Sequence, residues 1–465
     1  MNEIDLAFTP ALELAQLIRR REVSPLELVE IYLERIGQLN PRLGSYFTVT
    51  AELAIADAKA KTEILATTSE LPPFFGVPIS IKDLNAVAGV PCTYGNPALL
   101  NNIPNYDDGI VERIKQAGFI ILGKTATSEI GSLPYSEPMG FPPARNPWNL
   151  EYTPGGSSGG AAAAVAAGLC AIAQGSDGGG SIRGPAACCG LVGIKPSRGR
   201  VSKAPVGDRL AGIATNGPIA RTVADAAALL DAISGYVTGD PYWLPDPKPS
   251  FLAATQQKPG ALRIAFATSI PPLGSADPNC QQGVLQTVQL LEQLGYQVEA
   301  KCPDFSGLVE PFQIVWQAGV AGSGIQPEIL QPMNRWLLAR IGSVAEYLQA
   351  VSQMQVVARQ IVAFFDTVDV LVLPVYLHSP IRVGEWADLS LEETFQNIIQ
   401  WIAPCPPTNA TGQPAIALPV GFDSNGLPIS VQLIGKPAAE ATLISLAAQI
   451  EAAKPWIQHR PAFAT

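Results

Sequence analysis

The hydrophobic and polar positions at the start of the chain follow the period of an α-helix. Between residues 10 and 40, apolar side chains recur at three- and four-residue intervals, with one break at Ser24-Pro25. Ser24 would cap the second helix, with Pro25 at its first position and Glu27 at its third, which is the capping-box pattern. We therefore predict two helices within a helical N-terminal part of about 1–70.

Beyond this part, segments with the two-residue alternation of a β-strand are interspersed with helical ones. In residues 76–83 apolar and polar side chains alternate, so that Ser80 and Lys82 fall on the same face of a strand. A helix predicted at 282–295 lies between two further strands as a β-α-β unit. Strands that alternate with helices in this way indicate an α/β fold. The other predicted strands are 117–125, 262–267, 296–300, 368–374 and 428–435.

Two long segments depart from this alternation. The apolar run from Ala161 to Ala173 is shorter than the roughly 20 residues that cross a bilayer, and we predict a buried helix there. Residues 170–177 fit either the end of that helix or a strand after it. Residues 238–260 are rich in proline and other turn formers, which predicts a long loop within a single domain, 1–465.

Composition narrows the function classes. Of the 465 residues, 47% are hydrophobic and 15% charged, which is enough apolar material for a large core. The formal net charge is −10 and no basic block of five residues occurs, so nucleic acid is excluded as a partner. The start of the chain lacks the features of a secretory signal, and seven cysteines, an odd number, suit a reducing compartment. We expect a cytoplasmic protein that does not bind membranes.

The few histidines and the paired cysteines add little chemistry. Because His378 and His459 are the only two histidines, a histidine-rich metal site is excluded. The adjacent Cys188 and Cys189 are interpreted as two small buried residues.

Two familiar motifs occur in misleading contexts. Residues 118–125 match the P-loop pattern, but the four middle residues are Phe-Ile-Ile-Leu, the core of a strand rather than a phosphate-binding loop. Residues 155–159 match the GxSxG nucleophile elbow, which would need His378 or His459 as its base. The segment before it contains two prolines and no strand alternation, so a Ser–His hydrolase is kept only as a minor alternative.

Glycine and serine are concentrated in two loops on either side of the apolar run. The first is GGSSGG at 155–160, and the second runs Gly178, Gly179, Gly180, Ser181. Consecutive glycines let successive backbone N–H groups turn toward one point, which is what a developing oxyanion needs. A serine at the end of such a loop is placed to attack the carbonyl whose oxygen the loop holds.

A nucleophilic serine needs a base, and lysine is the next option where histidine is scarce. Lys82 ends an alternating strand; in an apolar cleft, its ammonium form would be disfavoured and its pKa would fall toward 7. The gap between Lys82 and Ser181 is too long for one hydrogen bond. Ser157, in the first glycine loop, is the natural bridge between them.

These segments resemble the amidase signature family, and the resemblance covers nearly the whole chain. It rests on GVPISIKD, GGSSGGAAAAVAAG, GSDGGGSIRGPAACCG and PPTNATGQPAIALPVGFDSNGLPISVQLIG. It implies a large mixed, twisted sheet with helices on both faces, and a Ser–cisSer–Lys catalytic set without metal or cofactor. Carried over by motif, Ser181 is the nucleophile, Ser157 the bridging serine after a cis peptide bond, and Lys82 the base.

The same resemblance assigns supporting roles. Asp177 and Arg183 would support the oxyanion loop formed by the amides of residues 178–181. Ser158 would form hydrogen bonds close to Ser157 and Ser181, and Gly131 would line the path of the substrate.

Two departures from the family pattern matter. Relatives more often carry threonine or isoleucine at Gly178, so the loop has extra freedom here. The amidotransferase subunits of the family carry an arginine for the substrate carboxylate on the helix before 368–374; Met354 falls at that place, and Arg359 is offset from it. An apolar side chain cannot pair with a carboxylate, which disfavours an amidotransferase subunit.

The sequence therefore predicts an amidase that converts a small-molecule carboxamide into a carboxylate and ammonia or an amine. The alternatives are an amidotransferase subunit that needs a partner protein and a Ser–His hydrolase; monomer and homodimer both remain open. Residues 130–140 and 305–350 are expected to shape the pocket. The second of these segments carries four large aromatic side chains, which fit either a hydrophobic pocket or core packing: Phe305, Phe312, Trp316 and Trp336.

Overall fold

The architecture centres on one large mixed β-sheet. The structure is a computed structural model that describes residues 2–208 and 210–465. Eleven of the thirteen strands in these residues form one sheet in the order β1-β3-β2-β4-β6-β5-β12-β13-β11-β7-β10, and β8 pairs with β9. The strands are β1 Tyr46–Val49, β2 Pro78–Lys82, β3 Ile120–Thr125, β4 Ile172–Asp177, β5 Val192–Lys195, β6 Thr215–Ala220, β7 Arg263–Phe266, β8 Ser269–Ile270, β9 Gly274–Ser275, β10 Gln297–Ala300, β11 Val370–Pro374, β12 Ala415–Phe422 and β13 Pro428–Gly435.

Sixteen α-helices accompany the sheet within the described residues. Short 3-10 turns lie at Pro97–Leu99, Glu129–Gly131, Ser306–Leu308 and Ala462–Ala464. The α-helices are α1 Glu3–Ala7, α2 Ala11–Arg19, α3 Pro25–Leu43, α4 Ala51–Thr67, α5 Gly109–Gln116, α6 Gly159–Ala166, α7 Arg183–Cys189, α8 Val223–Ile233, α9 Phe251–Ala254, α10 Pro278–Gln293, α11 Val309–Ala321, α12 Pro332–Leu338, α13 Val344–Phe364, α14 Leu391–Trp401, α15 Pro406–Thr411 and α16 Glu440–Ala453.

The α/β fold with a large mixed sheet is confirmed. Parallel pairs join β2 to β3 and β4, and β7 to β10 and β11, while the other pairs of the sheet are antiparallel. The predicted β-α-β unit is present as β7, α10 and parallel β10. One sheet takes strands from both ends of the chain, which supports a single domain over 1–465; that division stays a prediction.

The N-terminal helices form as the pattern predicts. Helix α3 begins at Pro25, and the Ser24 side chain accepts a hydrogen bond from the Glu27 amide at 3.1 Å. The Glu27 carboxylate in turn accepts one from the Ser24 amide at 2.7 Å, completing the capping box. Leu28, Tyr32 and other residues of its apolar stripe are buried against the core.

The apolar run at 161–173 is a correction. It is not one helix: α6 ends at Ala166, the chain turns at Gly168 with φ +62°, and β4 begins at Ile172. Residues 170–177 are therefore the strand rather than the end of the helix. Composition alone hides this break because alanine, cysteine and isoleucine are as well buried in a central strand as in a helix.

Three further points concern sequence predictions at loops and ends. Residues 238–260 form the predicted loop, interrupted only by the short helix α9. Helix α10 starts at Pro278, earlier than the predicted 282, because Asp277 caps it through the Cys280 amide. Within the described part of the chain, no helix combines the length and the apolar composition needed to cross a membrane.

Candidate active site

Lys82 is the last residue of strand β2, at the carboxyl end that β2 shares with the parallel strand β4. Its side chain is fully buried. Its Nζ lies 2.7 Å from the Ser157 hydroxyl oxygen, 3.0 Å from the Ser176 hydroxyl oxygen and 3.4 Å from the Ser176 carbonyl oxygen. The carboxyl ends of parallel strands in an open sheet are where side chains from separate segments converge. The alternation of 76–83 therefore brings a lysine amine into hydrogen-bonding contact with the first glycine-serine loop.

The surroundings of Lys82 favour a neutral amine. Burial lowers the pKa of Lys82 to about 7, and the negative charge of Asp177 opposes this only in part. A substantial fraction of the side chain is therefore unprotonated at neutral pH, as a general base requires.

The loop that carries Ser157 is packed too tightly for side chains on its glycines. The predicted cis peptide bond between Gly156 and Ser157 is confirmed. A Cβ on Gly156 would lie 2.5 Å from the Tyr135 amide nitrogen. A Cβ on Gly131 would lie 3.2 Å from the Ser157 hydroxyl oxygen, and Gly131 has φ +73°. Gly131 and Ser157 share the wall of one cavity.

Ser181 follows the triple glycine and borders a second cavity, with 7% of its surface exposed. The loop is tied to the first one, because the Ser158 amide donates to the Ser181 carbonyl oxygen at 3.3 Å and the Ser158 hydroxyl donates to the Ser176 carbonyl oxygen at 3.2 Å. Among the described residues, no hydrogen bond joins the Ser157 and Ser181 hydroxyls. Only the Lys82–Ser157 half of the relay is thus formed as a hydrogen bond.

Asp177 and Arg183 hold the second loop in shape. Both side chains are fully buried. The Asp177 carboxylate accepts hydrogen bonds from the Gly180 amide at 2.8 Å, the Ile182 amide at 3.1 Å and the Arg183 guanidinium at 3.0 Å. Burial alone would raise the pKa of the Asp177 carboxyl, but the charge and hydrogen bonds of Arg183 outweigh it and hold that pKa below its usual range.

These contacts show that the prediction was wrong for one of the four oxyanion donors, the amide of Gly180. The Gly180 N–H is directed at Asp177 and is not free to bind a substrate oxygen. The predicted oxyanion donors are therefore narrowed to the amides of Gly178, Gly179 and Ser181, whose role stays a prediction. The pattern of three glycines could not show this, because Gly180 serves the geometry of the loop: it has φ +121°, and a Cβ on it would lie 2.7 Å from the Cβ of Cys405.

The glycine at 178, a departure from the family pattern, has a local cause. A Cβ on Gly178 would lie 3.2 Å from the ring of Trp316. The indole occupies the space next to this residue, so a side chain at position 178 would require the ring to shift.

Sequence reasoning missed three residues of the site. Ser176 contacts Lys82, as described above. Asn409 donates to the Asp177 carboxylate at 2.9 Å and accepts from Arg183 at 2.8 Å, and Gln432 accepts from Arg183 at 2.9 Å. Asn409 and Gln432 lie in the long motif at 406–435, and polar side chains within that otherwise apolar motif were the available signal.

Glu129 anchors the segment that covers the site. Its carboxylate accepts hydrogen bonds from Asn96 Nδ2 at 2.6 Å, from the Gln331 amide at 2.9 Å and from Asn334 Nδ2 at 2.6 Å. The turn that begins with Glu129 carries Gly131 to the Ser157 hydroxyl. Glu129 thus joins α12 to the turn that lies against Ser157.

We expect Glu129→Gln to loosen this connection. The side-chain NH2 of the glutamine would face one of the three hydrogen-bond donors, which would then lose its acceptor. The free energy of unfolding should fall by about 1–3 kcal/mol. KM should rise by more than kcat falls, since the side chain does not touch the reacting atoms. Urea unfolding and Michaelis kinetics measure both. The matched control is Glu137→Gln, whose carboxylate accepts a single hydrogen bond from the described residues, that of the Gly384 amide. Equal losses in both variants would contradict the role of Glu129.

Two cavities that share Ser132 and Trp316 in their walls adjoin the glycine-serine loops. The smaller, about 90 Å³, is bordered by Ser181 and Gly179, and the larger, about 410 Å³, by Ser157, Ser176 and Gly131. The predicted pocket segments contribute Phe305, Phe312 and Trp316, but Trp336 packs on Phe395 instead. Helix α14 and residues 402–407 also line the smaller cavity, which the sequence did not indicate.

The P-loop-like segment and the two histidines lie outside the glycine-serine loops, in structural roles. Lys124 of the P-loop-like segment is a fully buried strand residue paired with Asp83 at 2.7 Å. His378 stacks on Trp401 and its Nδ1 contacts the Ser379 carbonyl oxygen. His459 packs edge-on against Phe422. Neither histidine contacts the glycine-serine loops among the described residues.

Three comparisons with known proteins identify the family of this chain. A family model described as Amidase matches residues 27–444. A putative amidase from Synechocystis sp. is 56% identical over 450 residues, covering 96% of this chain and 89% of that protein. The solved structure of 6-aminohexanoate cyclic dimer hydrolase matches with a TM-score of 0.92 and 31% identity, covering 99% of each chain. The chain belongs to the amidase signature family and is an amidase, a hydrolase that acts on C–N bonds.

The amidotransferase alternative has a more distant relative. A subunit of the glutamyl-tRNA(Gln) amidotransferase from Synechococcus sp. is 34% identical, covering 97% of this chain and 98% of that protein. Met354 of this chain is buried in the core and Arg359 is exposed on α13. No carboxylate-binding arginine therefore stands at that place of the helix.

Proposed function

We propose that this amidase works through an acyl-enzyme on Ser181, with Ser157 as the proton relay and Lys82 as the general base. The observation that carries the proposal is the 2.7 Å contact between the buried Lys82 amine and the Ser157 hydroxyl. A neutral amine in this position can take the Ser157 proton as Ser157 takes that of Ser181.

The reaction then proceeds by addition and elimination at the amide carbonyl. Ser181 Oγ bonds to the carbonyl carbon, while the amides of Gly178, Gly179 and Ser181 stabilise the negative oxygen. The C–N bond breaks as Ser157 returns a proton to the leaving nitrogen and regains one from Lys82. Water then gives a proton to the same Ser157–Lys82 relay and attacks the ester of the acyl-enzyme, which releases the carboxylate and restores Ser181.

A serine-directed fluorophosphonate tests the nucleophile. We expect stoichiometric labelling of the native protein, with the added mass on the peptide that contains residue 181, and no labelling after heat denaturation. The His378→Ala variant should react at the rate of the unmodified protein, since its ring lies against Trp401. Labelling confined to another serine, or lost with His378, would contradict the relay and favour the Ser–His alternative.

Two further properties remain proposals from the sequence. We propose a cytoplasmic location, which is supported by seven cysteines that form no disulfide. A small-molecule amide is the proposed ligand, and homodimer formation stays a prediction that size-exclusion chromatography with light scattering would test.

A further inference from the structure

We infer that the natural substrate is a secondary amide that places its apolar acyl group in the smaller cavity and its amine portion in the larger one. This rests on the proposed function, because it follows from which serine each half of the substrate must meet. Trp316 forms the boundary between the two halves.

The direction of the substrate follows from proton transfer. The leaving nitrogen must lie within hydrogen-bonding distance of the hydroxyl that protonates it, which is that of Ser157. Ser157 borders the larger cavity and not the smaller, whereas Ser181 borders the smaller and not the larger. The carbonyl carbon bonded to Ser181 therefore carries its acyl chain into the smaller cavity, and the substituents of the nitrogen extend into the larger.

The sizes of the cavities favour a substituted nitrogen. The larger cavity, about 410 Å³, far exceeds an ammonia molecule, which is close in size to a water at roughly 30 Å³. A primary amide would leave most of this space without contacts. Polar groups from Asn102, Ser176 and Ser323 border it alongside Leu99 and Ile325, so it suits an amine portion with both polar and apolar parts.

The smaller cavity is of a different character. Aromatic and aliphatic side chains dominate it, among them Phe305, Phe312, Phe395 and Ile402. Burial of a few methylene groups there favours an alkyl or aryl acyl chain over acetyl.

Trp316 borders both cavities. Its ring stacks on Phe312 with centroids 5.9 Å apart, and it approaches Gly178 at the oxyanion loop. The indole thus separates the acyl side from the amine side next to the carbonyl, and the structure assigns it as a residue that determines specificity.

Two paired substrate series test the assignment. At a fixed butanoyl group, kcat/KM should rise by about 10–100-fold from the N-methyl to the N-benzyl amide, with butanamide lowest. At a fixed benzylamine, butanoyl should exceed acetyl by about 10-fold. The N-methyl and N-benzyl amides both release alkyl amines, so the chemistry of the leaving group changes little between these two substrates.

Two variants separate the cavities. Ser323→Phe fills the larger one and should lower the benzyl-to-methyl ratio about 10-fold, with the butanoyl-to-acetyl ratio kept within about 3-fold. Phe312→Ala opens the smaller one and should lower the butanoyl-to-acetyl ratio about 10-fold, with the benzyl-to-methyl ratio kept within about 3-fold. A ratio that responds to the wrong variant, or an N-benzyl amide cleaved no faster than the N-methyl amide, would overturn the inference while leaving the amidase mechanism intact. If no amide is cleaved and Ser181 is not labelled by fluorophosphonate, the proposed function fails and the inference falls with it.

Discussion

Lys82→Met is expected to lower kcat by about 10⁴-fold while the protein stays folded. Methionine keeps most of the volume of the lysine side chain but cannot accept a proton. Because methionine is uncharged, its burial leaves no unpaired charge in the site. Ser157 then has no base. Amide hydrolysis measured at saturating substrate, with circular dichroism as the check on folding, gives the result; an activity within 10-fold of the original would contradict the relay.

The pH dependence of the original protein identifies the same group. Below a pKa of about 7 the Lys82 amine is protonated and cannot act as a base, so kcat/KM should rise as the pH increases through about 7 and then level off. Burial also lowers the pKa of Lys195 to about 7, so the value alone does not distinguish the two lysines. The Lys195 amine donates a hydrogen bond to the Pro196 carbonyl oxygen at 3.0 Å, and among the described residues no hydrogen bond joins it to Ser157 or Ser181. Lys195→Met should therefore retain the rise of kcat/KM with pH. If the rise disappears in that variant, the titrating group is Lys195 and not Lys82.

The segments whose sequence alternates clearly were predictable. The strands at 76–83 and 428–435 are present as β2 and β13 because their apolar positions match the period of a strand, and the short apolar run at 117–125 is present as the buried strand β3. Six of the strands in the described residues were missed, β1, β5, β6, β8, β9 and β12, since each is short or interrupted by glycine or proline. In the apolar run at 161–173, all positions are buried, so no periodicity marks where the helix gives way to the strand.

The site was predictable where one short motif carries the chemistry. Lys82 and Ser157 each stand in a local pattern, and the structure brings them together. The network that holds Asp177 was not predictable, because its partner Asn409 lies 232 residues away in the chain. The loss of Gly180 as an oxyanion donor has the same origin: only the fold shows which way a backbone N–H is directed.

Asp177→Asn is expected to lower the free energy of unfolding by about 3–5 kcal/mol, the largest stability effect we foresee for a single substitution in the site. Asparagine keeps the shape of the side chain but removes its charge. The Arg183 guanidinium, fully buried, would then lack a counter-charge, and the acceptor for the Gly180 amide would be weakened. Urea unfolding at pH 7 measures the loss. The control is Glu151→Gln, which breaks the exposed pair with Arg382 and should change nothing measurable.

The pH dependence of that difference separates the charge from the packing. Because the folded-state pKa of Asp177 is lowered, the stabilisation by its carboxylate is fully present above the unfolded value of about 3.8 and is lost as the pH falls through the folded-state value. The gap in stability between the original protein and Asp177→Asn should therefore stay constant from pH 5 to 8 and narrow only under more acidic conditions. A gap that stays constant below pH 4 would mean that the folded-state pKa of this carboxyl is not lowered, so that Arg183 does not hold it ionised and the oxyanion loop depends on packing alone.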